Sequence, residues 1–284
     1  MNTAPPLPLE DEIGDVLEKA MDRAGLNAEA VAVRADVPLE RLRDAIDYRG
    51  DLTCAELRRL AAVLGLNEIG VCALGVGEYP RPEIGPLPFR VWPLRMPHGI
   101  GVANAYLVGE AASSRAILFD TGAGGDALAA VWPGAVQHVD AVFLTHVEQE
   151  HAGGLCGVVA RFQVPAAFVP LGIRVPCTVG MGEGQTQTFG SLRVRALATP
   201  GHVASHNCYL VDVPRESSSG TLLISGDLVF AGSVGGAFYS HAQLHENLRR
   251  VLGSVPRDTV MAPGHGPLTT AGHEVRYNPF CSFV

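Results

Sequence analysis

The chain has 284 residues, 47% of them hydrophobic and 18% charged, with a net charge of −8, which is enough for a sizeable core and reads as two domains. No apolar run reaches 18 residues, so no membrane span is expected; the Pro-rich, acidic first dozen residues also lack the basic start and apolar segment of an export signal. Six cysteines, at 54, 72, 156, 177, 208 and 281, show no C-x-x-C spacing, so reduced thiols in a cytoplasmic protein are expected, with Cys208 in the core. The first predicted elements are four or five short helices over residues 11–75. Ile13, Val16, Leu17 and Ala20 keep helical spacing, Asn27 is placed to cap the next helix, and Leu57, Leu60, Ala61 and Leu64 repeat the pattern. Gly75 to Pro88 holds four prolines and three glycines and reads as a linker, which divides the chain into a helical domain (1–76), a linker (77–88) and a second domain (89–284).

Over about 60 residues the helical domain is similar to the helix-turn-helix domain of Cro and C1-type repressors. The similarity rests on Ala24-Gly25-Leu26-Asn27, on Val31-Ala32 with Asp36-Val37-Pro38, and on Leu57 with Leu60 to Gly65. It implies a recognition helix from Pro38 to about Asp47. Charge argues against DNA binding: residues 1–80 carry 8 basic and 15 acidic side chains, a net of −7, and Lys19 is the only lysine of the chain. Affinity for duplex DNA comes mainly from cations that neutralise phosphates, and Glu40, Asp44 and Asp47 accompany Arg41 and Arg43 on the helix that would enter the groove. The expected use is packing, with Leu39, Leu42 and Ile46 as an apolar edge for a homo-oligomer.

In the second domain, strands are predicted at 89–95, 102–109, 115–119, 141–145, 166–169, 192–198, 207–212, 221–226 and 258–262, and helices at 125–132, 151–162 and 241–252. Residues 213–220 are expected to form a loop without chemistry. Four strands end in segments rich in ligand-type side chains. After the fourth strand comes Thr145-His146-Val147-Glu148-Gln149-Glu150-His151, two imidazoles and two carboxylates in six residues, which must be solvated, paired or coordinated. Positions 146, 148 and 150 point one way and His151 opens the next helix, so the cluster can feed two adjacent metal ions. Thr199-Pro200-Gly201-His202, Ser225-Gly226-Asp227 and Pro263-Gly264-His265-Gly266 repeat the arrangement. Asp120, after its strand, is expected to hydrogen-bond near the site without holding metal.

These motifs, with Asn104-Ala105-Tyr106-Leu107-Val108 and Phe119-Asp120-Thr121-Gly122, resemble the metallo-β-lactamase superfamily over roughly residues 88–284. The tail Gly264 to Thr270, with Glu274 and Asn278-Pro279-Phe280 beyond, resembles its glyoxalase-II-like hydrolases. The resemblance implies an α/β fold, a four-layer αβ/βα sandwich, here preceded by the small all-α domain. It implies two divalent metal ions, one held by His146, Glu148 and His202, the other by Glu150, His151 and His265, with Asp227 bridging. It further implies a hydrolase in which a metal-bridging hydroxide attacks a small-molecule thioester, ester or lactone. Arg276 and Tyr277 are then the nearest substrate contacts, with Tyr239 and His241 offered as lining of the entrance.

Two positions depart from the family pattern, which has histidine where Glu148 stands and aspartate where Glu150 stands. A carboxylate in place of imidazole hardens the site and favours iron or manganese over zinc. Glu150 has two readings, a ligand to the second ion or a proton acceptor beside it. The exchange at 148 is shared with flavodiiron proteins, so a non-hydrolytic diiron sensor or oxidase that binds oxygen or nitric oxide is the competing class. A site with one ion or none is a third.

Overall fold

The structure is a computed structural model that describes residues 7–99, 101–214 and 220–282. Five helices come first, α1 (Ile13–Ala24), α2 (Ala28–Ala35), α3 (Leu39–Ile46), α4 (Cys54–Leu64) and α5 (Glu68–Gly75). Asn27 caps α2 by accepting from the Ala30 N–H at 2.9 Å, as its position predicts. Thr53 and Glu56 close a reciprocal capping box at the start of α4. Val16, Leu17, Leu42, Leu57 and Leu60 are fully buried, so the helices share one core. Leu42 belongs to that core and Leu39 and Ile46 pack against it, so the apolar edge suggested for a second subunit has its partners inside the chain. The two arginines of α3 are also engaged: Arg41 bonds both oxygens of Glu56, at 2.6 and 2.8 Å, and Arg43 pairs with Glu29.

The rest of the chain builds two six-stranded mixed sheets. The first runs β1 (Arg90–His98), β2 (Gly101–Gly109), β3 (Arg115–Phe119), β4 (His138–Phe143), β5 (Ala167–Pro170), β6 (Val179–Met181) in spatial order. The second contains β7 (Thr186–Phe189), β8 (Leu192–Ala198), β9 (Asn207–Asp212), β10 (Leu222–Gly226), β11 (Val260–Pro263) and β12 (Thr269–Thr270), in the order 12-11-10-9-8-7. Alternation along each strand sorts side chains between layers. Ile117 and Phe119 of β3 meet Tyr209, Val211 and Ile224 of the second sheet in the central core. Leu118 faces the other way, into the core beneath α6 (Gly125–Ala130) and α8 (Leu155–Phe162). On the outer side of the second sheet, Cys208, Leu210 and Leu223 pack with α9 (His241–Ser254) and α10 (Ala271–Tyr277).

The helical unit docks on that outer layer, and its core and the α9/α10 core form one continuous cluster. Asn67 ties the two together, donating from its backbone to Pro279 O at 2.7 Å and from its side chain to Arg276 O at 2.9 Å. Lys19 Nζ pairs with Asp11 and donates to Val234 O at 2.8 Å, while Ser233 Oγ donates to Asp11. Within the predicted linker Tyr79 is buried, and its hydroxyl donates to Glu274 at 3.2 Å.

Several predicted elements differ in extent. The helix predicted at 151–162 starts earlier, as the short α7 (Gln149–Ala152), and breaks at Gly153-Gly154 before α8. Both glycines lie where a Cβ would strike backbone, 2.3 Å from Ala123 O and 2.4 Å from Thr121 O, so close packing and not helix propensity sets the break. β6 and β7 escape prediction because they are short and largely exposed, at the edges of their sheets, with no apolar alternation. β1 continues through Pro93 and Pro97, which an edge strand tolerates. The loop predicted at 213–220 lies mostly outside the described residues. No helix among the described residues is long and apolar enough to cross a membrane.

Candidate metal centre

Both sheets deliver their ligand-type side chains to the same end. β4 runs into His146 and Glu148, α7 supplies Glu150 and His151, and the segments after β8, β10 and β11 supply His202, Asp227 and His265. Two glycines permit this convergence. A Cβ on Gly226, whose φ is +48°, would lie 2.6 Å from His206 Nε2 and 2.7 Å from Thr145 Cβ. A Cβ on Gly264 would lie 2.1 Å from Asp227 Oδ1 and 2.9 Å from His151 Cε1. The two sheets are also stitched beside the site, where Asn104 Nδ2 donates to Pro263 O and Gly266 O at 3.0 and 2.8 Å, and Tyr106 Oη donates to Pro263 O at 2.7 Å.

The seven side chains form overlapping groups. His146, Glu148 and His202 bring one ligand atom each to within 4.8 Å of one another, as do Glu150, His151 and His265, and as do His146, His151 and Asp227. Asp227 stands between them: Oδ1 is 3.5 Å from His151 Nε2, and Oδ2 is 3.5 Å from His265 Nε2 and 3.7 Å from His202 Nε2. The other nitrogen of each imidazole is occupied by the protein. His202 Nδ1 donates to Gly236 O at 2.6 Å, His265 Nδ1 to Val102 O at 3.0 Å, and His151 Nδ1 to Asp120 Oδ2 at 3.2 Å. Thr145 Oγ1 gives its proton to Asp120 Oδ2 at 2.9 Å, so it accepts from His146 Nδ1 at 2.9 Å. All four rings therefore aim Nε2 at a common space.

Charge follows from this crowding. Burial pushes the Asp227 carboxyl up, but the imidazoles of His151 and His265 override it and hold it well below the usual range. Glu148 is held down by His146, then His202. Burial depresses His265, yet Asp227 and Glu10 carry it to about 9, and His151 and His202 are raised against burial by their own carboxylates. A proton and a metal ion compete for the same Nε2 atoms, so the field that raises these histidines also favours a cation in their place. His146 Nε2, His151 Nε2, His202 Nε2 and Asp227 Oδ1 are buried without a hydrogen-bond partner. Four such orphaned atoms facing one another fit a metal centre.

Residues 98–265, more than half of the chain, match the family model of the metallo-beta-lactamase superfamily. The chain belongs to this superfamily. It is 30% identical over 211 residues to an uncharacterized protein of Aquifex aeolicus, covering 65% of this chain and 94% of that one. A hydroxyacylglutathione hydrolase of Xanthomonas axonopodis pv. citri is 33% identical over 158 residues, which span 55% of this chain and 58% of the hydrolase. Among solved structures, TTHA1623 in a di-iron-bound form aligns with a TM-score of 0.51 and 28% identity over 66% of this chain and 99% of that one.

Around the superfamily's ligand positions, the structure adds residues that motif reading missed. His206 Nε2 accepts from the Asp227 N–H at 3.1 Å, and its Nδ1 donates to Thr199 Oγ1 at 2.7 Å; burial, then His146 and His202, push it far below the ordinary histidine range, so it stays neutral and fixes the Asp227 backbone. His98 Nε2 lies 3.7 Å from Glu150, and Glu10, from the other unit, lies 3.7 Å from His265 Nδ1. Neither belongs to one of the four ligand-rich segments read in the sequence, although His98 closes β1. Asp120 sits where expected, accepting from the Thr145 N–H at 2.8 Å and orienting His151. Arg276 and Tyr277 are a correction. Their backbone carbonyls face Asn67 and Gly70 of the helical unit, and neither residue lines the metal cleft. His241 does line it, whereas Tyr239 is exposed beside it and does not.

Proposed function

We propose that the chain is a metal-dependent hydrolase of thioesters, esters or lactones with a dinuclear centre, one ion on His146, Glu148 and His202, the other on Glu150, His151 and His265, and Asp227 shared. The observation that carries this reading is the set of orphaned Nε2 and carboxylate atoms, of which His202 and Asp227 line one cleft while His146 and His151 are fully buried. The hydroxyacylglutathione hydrolases among its relatives support it, since an acylglutathione is a thioester. When bound, divalent ions supply a polarised carbonyl and an activated water at neutral pH. The chain's own part is to hold Nε2 of four histidines in one tautomer through Thr145, Asp120, Gly236 and Val102, and to keep Asp227 ionised. Glu150, half-buried and within reach of His98, is the group placed to take a proton and return it to the leaving heteroatom.

The test is turnover of an S-acyl thioester, an aryl ester and a lactone by protein purified without added zinc, alongside elemental analysis. Hydrolysis that is lost on chelation and restored with metal is expected. Full occupancy with no turnover of any of the three would reject the hydrolase reading. A second reading, a diiron sensor or oxidase, is favoured by Glu148, whose Oε2 lies 3.7 Å from His146 Nε2 and 3.5 Å from His202 Nε2. Carboxylate oxygen at that position is a hard donor, so Glu148→His is expected to raise the zinc-to-iron ratio several-fold in one growth medium. An unchanged ratio would show that position 148 does not select the metal.

A further inference from the structure

The cleft above the metal centre, about 380 Å³ in volume, lies between the two units, and its outer wall is α1. Val16, Leu17 and Ala20 turn into the core, so the opposite face of the helix, Asp15, Glu18 and Asp22 at i, i+3 and i+7, borders the cleft. Glu10 and Asp11 extend this carboxylate row toward His265. The one lysine in the cleft, Lys19, has its charge matched by Asp11 and donates to Val234 O. The neighbouring arginines, Arg23 and Arg249, line an adjoining hollow, and Arg23 donates to Leu64 O and Gly65 O. To the lining of the same cleft the metal unit adds Phe238, a residue left 78% exposed. The floor carries unpartnered Asp227 Oδ1 and His202 Nε2, on residues that are only 5% and 3% exposed, so the acidic row leads to the candidate metal centre.

We infer that the cleft takes an acyl compound whose leaving portion is cationic, an ammonium group seated between the α1 carboxylates and the Phe238 ring, and that it disfavours anionic donors such as glutathione thioesters. Carboxylates together with an exposed aromatic face are the chemistry that recognises an organic cation, and a row of like charges along one wall concentrates its counter-charge. The acyl end of this inference rests on the hydrolase reading. The charge preference belongs to α1 and is measurable without turnover.

The experiment uses the full chain with three thioesters of one acyl group, those of thiocholine (cationic), ethanethiol (neutral) and 3-mercaptopropionate (anionic). Calorimetry on unreactive thioether analogues of the cationic and anionic members runs in parallel. The expected result is kcat/KM at least about tenfold higher for the thiocholine ester than for the anionic one, flattened in high salt, with the same order in the binding pair. In the double variant Glu18→Gln, Asp22→Asn, at two exposed positions, the preference should fall several-fold through KM. Asp15 is left in place because it accepts from Tyr48 Oη and from Glu12 N–H. Binding that is indifferent to charge or prefers the anion, or a preference that survives the double variant, overturns the inference. Selective binding without hydrolysis of any ester upholds it and rejects the hydrolase reading instead.

Discussion

Asp227→Ala is expected to empty the whole centre, not half of it. Its two oxygens face three histidines drawn from both ligand groups, at 3.5 to 3.7 Å, so a water entering from the cleft would restore neither the charge nor the shared contact. Its removal also takes away the charge that opposes four clustered imidazoles. Loss of even an outer partner of a metal ligand commonly costs 10–100-fold in affinity, so loss of a shared ligand should cost at least about 100-fold at each position. Elemental analysis and competition with a chromophoric chelator measure this directly. Two equivalents retained in Asp227→Ala would remove the shared role, and loss of one equivalent would assign Asp227 to a single ion. Hydrolysis should vanish with the metal, while Asp227→Asn, which keeps the shape and loses the charge, separates packing from electrostatics.

The candidate ligands that the structure brings together were legible in the sequence because each sits within a few residues of a strand end, where apolar periodicity stops and a turn begins. His146, His202, Asp227 and His265 are local features of this kind. The cleft was not legible, because its outer wall is made by α1, more than a hundred residues upstream of the first ligand, and nothing local in Asp15, Glu18 and Asp22 distinguishes a cleft wall from a solvated helix face. The same limit misplaced Arg276 and Tyr277. They are near His265 in sequence, yet α10 carries them to the face that meets α5. The acidic balance of residues 1–80 was readable, and its use lay in how the two units dock.

That docking supplies the second large effect. Gly70→Ala is expected to destabilise the protein, although Ala is the better helix former by about 1 kcal/mol. A Cβ there would lie 1.8 Å from Tyr277 O, 2.8 Å from its carbonyl carbon and 3.0 Å from Pro279 N, all backbone atoms of a segment that Asn67 ties down. Overpacking against movable side chains costs about 1–3 kcal/mol, and backbone has less room to yield, so a loss of about 3 kcal/mol is the minimum, or roughly 6–12 °C in the thermal midpoint. Removing residues 1–80 outright should do more, since the core that the helical unit shares with α9 and α10 loses part of its cover, at up to about 1.5–3 kcal/mol for each side chain laid fully bare. Metal binding should weaken with it, because Asp11 and Lys19 hold Ser233 and Val234, just ahead of Gly236, whose carbonyl orients His202. Thermal melts and metal content of Gly70→Ala and of residues 81–284 test the two effects together. If residues 81–284 stay soluble with the melting point and metal content of the full chain, the helical unit is an appendage, and the acidic wall it lends to the cleft loses its standing as part of the site.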